Sequence, residues 1–327
     1  MTILTAVIAL LILAIIFGAL LGYAAIRSAS LSLEPRFFRK YIPRKVETNN
    51  ALLFDHVNTP YGKRIKGIVR MYRRIAAKVA ETLDDNRFPL VISGDHSNAG
   101  GTIAGLRQAY PKSRIGVVWI DAHGDLHSPY TSPSGNVHGM PLATAIGEDN
   151  RDRQCNKPKP STIKNWERLK GHPRRVEPAD IVFIALRDTE EPEDYLITKH
   201  GMKVIRVPEV RKKGTAAAVL AALEHLQHCD LLYVSFDVDS LDPSISGGTG
   251  TPVEDGLTVE EAATLLKTFA KEPRLGCMEF TEINPLLDHQ GNAMGEVAFR
   301  LISQTVRELE ERSKTIPGLN SFLSTHE

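Results

Sequence analysis

Apolar and polar positions follow two periods along this chain, and their order predicts the architecture. Short, mostly apolar runs rich in β-branched residues occur at Leu90–Ile92, Ile115–Ile120, Ile181–Leu186, Lys203–Val207, Leu231–Phe236 and Leu275–Ile283. Such runs read as strands buried on both faces. Between them, apolar residues spaced three and four apart predict helices over Ile65–Leu83, Ala104–Tyr110, Ala216–Gln227 and Glu296–Arg312. A further helix ends near Phe269, and Thr258 with Glu261 supplies the capping box that opens it. Strand, loop and helix recur in that order, which predicts an α/β domain with a mostly parallel sheet covered by helices on both faces. No Gly-x-Gly-x-x-Gly or phosphate loop precedes a helix, so nothing points to a nucleotide.

The start of the chain breaks the pattern. Thr2 to Ile26 contains no charged residue, and about 20 apolar residues suffice to span a bilayer. A cleaved signal peptide would have a basic start and a shorter apolar region. The segment therefore predicts a single transmembrane helix. Arg27, Arg36, Arg39, Lys40, Arg44 and Lys45 follow it, and the positive-inside rule then places the rest of the chain in the cytoplasm. Residues 46–64, with three Asn and a single Pro and Gly, read as a connector. The expected organisation is an anchor over 1–26, a basic juxtamembrane and connecting segment over 27–64, and a catalytic domain over 65–327.

Charge and cysteines narrow the partners. The net charge is +1, but residues 27–45 carry six basic side chains against one acid, leaving 34 basic and 38 acidic residues elsewhere. That balance does not favour nucleic acid. Cys155, Cys229 and Cys277 are scattered and odd in number, which fits a reducing compartment rather than a disulfide framework.

The candidate chemistry lies where two strands end. Asp121, His123 and Asp125 follow one strand, and Asp237 and Asp239 follow another. Their alternate spacing puts them on one side of an extended segment. Strand ends are also where open α/β sheets bind ligands. Carboxylates converging without compensating Lys or Arg repel one another unless divalent cations sit among them, and mixed Asp/His ligation suits Mn²⁺ or a similar metal. Two-metal sites need bridging carboxylates, and Asp121 and Asp237 are the natural bridges. His96, at a third strand end, and Asp125 complete one ion; His123 and Asp239 complete the other.

Four blocks, Ser93–Ser97 (SGDHS), Asp121–Asp125 (DAHGD), Ser235–Pro243 (SFDVDSLDP) and Glu282–Pro285 (EINP), resemble the signature blocks of the ureohydrolases. That family includes arginase, agmatinase, guanidinobutyrase and formiminoglutamase. The resemblance runs from about residue 85 to 312 and implies a three-layer αβα fold. It also implies two Mn²⁺ per chain held by His96, Asp121, His123, Asp125, Asp237 and Asp239. The loop Ser132–Pro141 (SPSGNVHGMP) is similar to that of arginases. By that likeness His138 shuttles protons, while Ser134 and Asn136 line the amino-acid end of the substrate. Asp188 and Glu190 fall in a loop where an acid holds the α-ammonium, and Glu282 matches the residue that pairs with the guanidinium. Two positions depart from the pattern. Ser93 replaces a usual Gly, and His127 stands where arginases usually carry an Asn that contacts the α-carboxylate.

The sequence is thus expected to encode a membrane-anchored dimanganese hydrolase that converts L-arginine to urea and L-ornithine. Its partners would be a small guanidino substrate and the membrane, with no nucleic acid, and a homo-oligomer is expected. The alternatives are another ureohydrolase (a guanidino-acid hydrolase, agmatinase or formiminoglutamase) or a non-catalytic membrane scaffold of the same fold.

Overall fold

The computed structural model describes residues 21–315. Six strands, β1 (Leu90–Ile92), β2 (Ile115–Ile120), β3 (Ile181–Ile184), β4 (Lys203–Ile205), β5 (Leu231–Asp237) and β6 (Leu275–Thr281), form one sheet. All neighbours pair in parallel, in the order β1-β6-β5-β2-β3-β4. The strand period of two divides the interior. Val118, Ile120, Val234, Phe236, Met278 and Phe280 enter one apolar cluster, whereas Val117, Trp119, Tyr233 and Cys277 enter the other.

Helices cover both clusters, giving three layers. On the first side lie α1 (Gly22–Leu33), α9 (Thr215–His225), α10 (Val259–Ala270) and α11 (Ala293–Thr315). The second side is covered by α3 (Ile65–Asp84), α4 (Ala99–Ala109), α5 (Pro141–Ile146) and α7 (Glu191–His200). Three further helices, α2 (Phe37–Lys40), α6 (Pro160–Lys170) and α8 (Val207–Lys213), complete the described chain. Sequence patterning located α3, α9, α10 and α11, and β1 and β2 residue for residue. It stopped short of the start of α4 and missed α5 to α8, four short helices that each carry Pro in the first two positions. Strands β3 and β6 end before the expected Leu186 and Ile283 because Ala185 and Glu282 turn into the left-handed region, at φ 71° and 63°.

The membrane reading requires correction. Residues 1–20, most of the expected span, lie outside the described residues. The remainder is built into the domain. In α1, Ala25, Ile26 and Ala29 are buried in the main core cluster, and the Ala25 carbonyl accepts a 2.9 Å hydrogen bond from Asn292 Nδ2. A Cβ at Gly22 would lie 2.6 Å from the Ile283 carbonyl oxygen. Segments so engaged are not available to lipid. Two of the six basic residues that suggested an inner-leaflet anchor pair within the domain: Lys40 with Glu310 at 2.5 Å and Arg44 with Asp85 at 2.5 Å. Among the described residues no helix is long and apolar enough to cross a membrane. The single-pass membrane location with a cytoplasmic domain, inferred from that helix, therefore falls.

Candidate metal centre and its pocket

The centre is built by one local device used three times. Asp121 Oδ1 accepts from the His123 backbone N–H at 2.7 Å, Asp237 Oδ1 from Asp239 N–H at 2.8 Å, and Asp95 Oδ1 from Ser97 N–H at 2.9 Å. Each aspartate thus closes a tight Asx turn at a strand end with one oxygen and keeps the other free. The side chains converge because of these turns and not through extended alternation. Asp125 is brought round by its own left-handed backbone, φ 51°. A Cβ at Gly124 would lie 2.9 Å from Glu193 Oε1, so any larger residue there would have to displace the Glu193 carboxylate.

Around His96 Nδ1 stand Asp121 Oδ2 at 3.0 Å, Asp125 Oδ2 at 3.2 Å and Asp237 Oδ2 at 3.1 Å. One ring nitrogen cannot hydrogen-bond three carboxylates, and His96 Nδ1 and Asp121 Oδ2 are in fact buried without a hydrogen-bond partner. Octahedral ligands at about 2.1 Å from a cation stand about 3.0 Å from each other, so the spacing fits a coordination shell. A second group gathers Asp121, His123 and Asp239, with His123 Nδ1 3.4 Å from Asp121 Oδ1 and 3.0 Å from Asp239 Oδ2. Asp121 belongs to both groups, one oxygen facing each, whereas Asp237, expected as a second bridge, stands with His96 and is not among the second group.

Electrostatics argue the same way. Burial, then the charge of Asp121, pushes Asp125 up to about 7. Burial followed by Asp239 and Asp121 raises Asp237 well above the carboxylate range, and burial with Asp121 raises Asp239. Burial opposes ionisation of Asp121 too, but the His123 and His96 rings outweigh it and hold its carboxyl below the usual range. Four carboxylates so close in a buried site call for cations.

The neighbours of the centre include residues that the sequence analysis did not single out. Ser235 Oγ lies 2.8 Å from His96 Nε2, and the Trp119 ring stacks on the imidazole with centroids 4.0 Å apart. Ser235 sits two residues before Asp237, so strand alternation placed it on the same face, a signal that was available. Thr251 Oγ1 reaches Asp239 Oδ2 at 3.3 Å. Behind the centre, fully buried Glu279 accepts from Ser93, Thr102 and Tyr233 at 2.6, 2.7 and 2.8 Å. The departure at Ser93 thus has a structural use as a donor to this carboxylate.

The centre opens into a cavity of about 1310 Å³ whose walls include His138, Glu282, Ser134, Asn136, Asp188 and Glu190. Glu282 Oε1 accepts from the His96 backbone N–H at 2.7 Å; burial, then Asp95, raises its carboxyl well above the ordinary range. His138 Nδ1 stands 3.8 Å from Asp95 Oδ2, and burial lowers its imidazole below the usual value. Asp188 is exposed, with Oδ2 3.7 Å from His123 Nε2. Ser134 Oγ accepts from Asn136 N–H at 3.1 Å. His127 also borders the cavity but is buried, its Nε2 3.2 Å from Glu190 Oε2.

Comparison with known proteins agrees with this geometry. The model of the Arginase family matches residues 16–307. An arginase of Bacillus subtilis (strain 168) is 35% identical over 240 residues, covering 73% of this chain and 76% of that protein. One from Brevibacillus brevis is 35% identical over 287 residues, covering 88% and 91%. The crystal structure of arginase from Bacillus cereus superposes with a TM-score of 0.73 at 31% identity, covering 88% of this chain and 92% of that one. The chain belongs to the arginase family, hydrolases acting on the carbon–nitrogen bonds of guanidino groups and other linear amidines.

Proposed function

We propose that this protein hydrolyses L-arginine to urea and L-ornithine with two Mn²⁺ per chain. The observation that carries the reading is the pair of ligand groups sharing Asp121 at the floor of a pocket whose rim is polar and acidic. His96, Asp125 and Asp237 would hold one ion and His123 and Asp239 the other, with Asp121 common to both. Bound divalent ions of this kind make water a nucleophile near neutral pH.

The remaining residues bind and orient the substrate. Glu282, whose carboxyl is fixed by the His96 N–H, faces the space beside the ligand groups, where a guanidinium cation would favour its ionised form and pair with it. His138 borders the same space. Its depressed basicity keeps the imidazole neutral near pH 7, a state that takes up a proton and hands it to the departing amine. Ser134 and Asn136 on one loop, and Glu190 with Asp188 on another, address the amino-acid end.

A panel of arginine, agmatine and 4-guanidinobutyrate, assayed for urea release after Mn²⁺ loading, tests the assignment. Leaving polar groups unpaired costs about 1–3 kcal/mol each, so arginine should exceed agmatine in kcat/KM by tenfold or more. Faster turnover of agmatine or guanidinobutyrate would leave the family membership standing and remove the arginine assignment.

A further inference from the structure

His127 does not face an open carboxylate site. Its ring is buried, and both nitrogens are engaged. Nδ1 lies 3.1 Å from Thr131 Oγ1, an oxygen that also accepts from the Ser128 N–H at 3.0 Å. Nε2 lies 3.2 Å from Glu190 Oε2 and 3.7 Å from Glu193 Oε2. A bare lone pair at Nε2 would repel both carboxylates, so the ring proton belongs on Nε2 and the Thr131 hydroxyl donates to Nδ1. A third carboxylate, brought in by substrate, would meet Glu190 and Glu193 before it met a free donor.

Glu193 is itself fixed. It accepts from the Leu126 N–H at 3.1 Å with Oε1 and from the Glu190 N–H at 3.1 Å with Oε2. Glu190 is different, because its side chain is about half exposed, 52%. A glutamate has three rotatable side-chain torsions, and without a partner its carboxylate would sample many positions. The Glu190 side chain takes the Glu193 N–H in the capping box that opens α7, and His127 Nε2 adds a side-chain donor facing it from the buried side.

We propose that His127 is a positioning residue. Its Nε2–H aims the Glu190 carboxylate at the ammonium group of the substrate, and recognition of the α-carboxylate is left to Ser134 and Asn136. The inference rests on the arginine reading and deepens it: His127 serves the ammonium end of the substrate and leaves the carboxylate end to other residues.

Calorimetric binding to the Mn²⁺-loaded protein separates the possibilities with three probes. L-ornithine carries both α groups, 1,4-diaminobutane lacks the carboxylate, and 5-aminopentanoate lacks the α-ammonium. His127→Asn puts its amide nitrogen near the place of Nδ1, out of reach of Glu190, whereas His127→Gln puts one near Nε2. We expect His127→Asn to weaken L-ornithine and 1,4-diaminobutane roughly tenfold, about 1.4 kcal/mol, and 5-aminopentanoate less than twofold. His127→Gln should restore binding to within about twofold of wild type, and adding His127→Asn to Glu190→Gln should cost nothing further. The proposal is overturned if 5-aminopentanoate is weakened as much as L-ornithine, if His127→Asn changes nothing, or if His127→Gln is as weak as His127→Asn. Should His127→Asn fail to fold, Glu190→Gln must show the same ligand pattern while His127→Gln binds as wild type; either failure refutes the role. Urea release by wild type alongside a wrong variant pattern rejects only the role of His127, whereas no release from arginine rejects the functional reading beneath it.

Discussion

Ser235→Ala tests whether the centre is held by the shell behind its ligands. Ser235 is fully buried on β5, paired in register with Trp119 on β2 and Glu279 on β6. Its hydroxyl is 2.8 Å from His96 Nε2. Nδ1 of that ring faces Asp121, Asp125 and Asp237, so Nε2 carries the proton and donates to Ser235. Removing the hydroxyl leaves this buried N–H unsatisfied at a cost of about 1–3 kcal/mol. At about 1.4 kcal/mol per decade, that is roughly 5- to 150-fold, matching the 10–100-fold usual when an outer partner of a metal-binding His is lost. The loss should fall on one ion only, because His96 is 3.0–3.2 Å from the first group of ligands while the His123 and Asp239 pair keeps its own contacts. Trp119 still stacks on the ring, so the fold itself should survive. The assay is a Mn²⁺ titration by competition with a chelator, with metal content measured at each step. Wild-type affinity for both ions, or equal weakening of both, would refute the reasoning.

Other outcomes follow from the same geometry. Asp121→Asn should weaken both ions and Asp125→Asn only one, as read by metal content after dialysis; a single ion per active wild-type chain would remove the dinuclear arrangement. His138→Asn should lower kcat by roughly 10²–10⁴-fold with both ions retained, and loss of metal would mean that His138 is a ligand instead. The unfolded state protonates this His near 6.5 and the folded state only at lower pH, so stability falls as pH drops through that window; His138→Asn should flatten that part of the unfolding curve. Ile26→Ala should cost about 2–5 kcal/mol in denaturant unfolding, the range for truncating a buried aliphatic side chain; a change below about 0.5 kcal/mol would show that residue 26 is not part of the core.

The six residues that converge at the candidate centre and the parallel α/β fold could be read from the sequence, because both rest on local signals. Short β-branched apolar runs such as Ile115–Ile120 read as strands buried on both faces, and each strand delivers its Asp-x-His or Asp-x-Asp to the same edge of the sheet. The turns are local too: Asp121 Oδ1 and Asp237 Oδ1 each accept the N–H two residues on, as Asp at a strand end commonly does. What tertiary structure alone decided concerns partners distant in sequence. An uncharged N-terminal run carries no mark that separates lipid from protein as its apolar surroundings. Only the packing of Ala25 and Ile26 into the core, with Asn292 bonded to Ala25, settles the matter for residues 22–26. His127 likewise shows in sequence only as an exception to a pattern. Its meaning comes from Thr131 and from Glu190 and Glu193, some sixty residues away, because a hydrogen bond depends on distance in space and that distance is set by the fold.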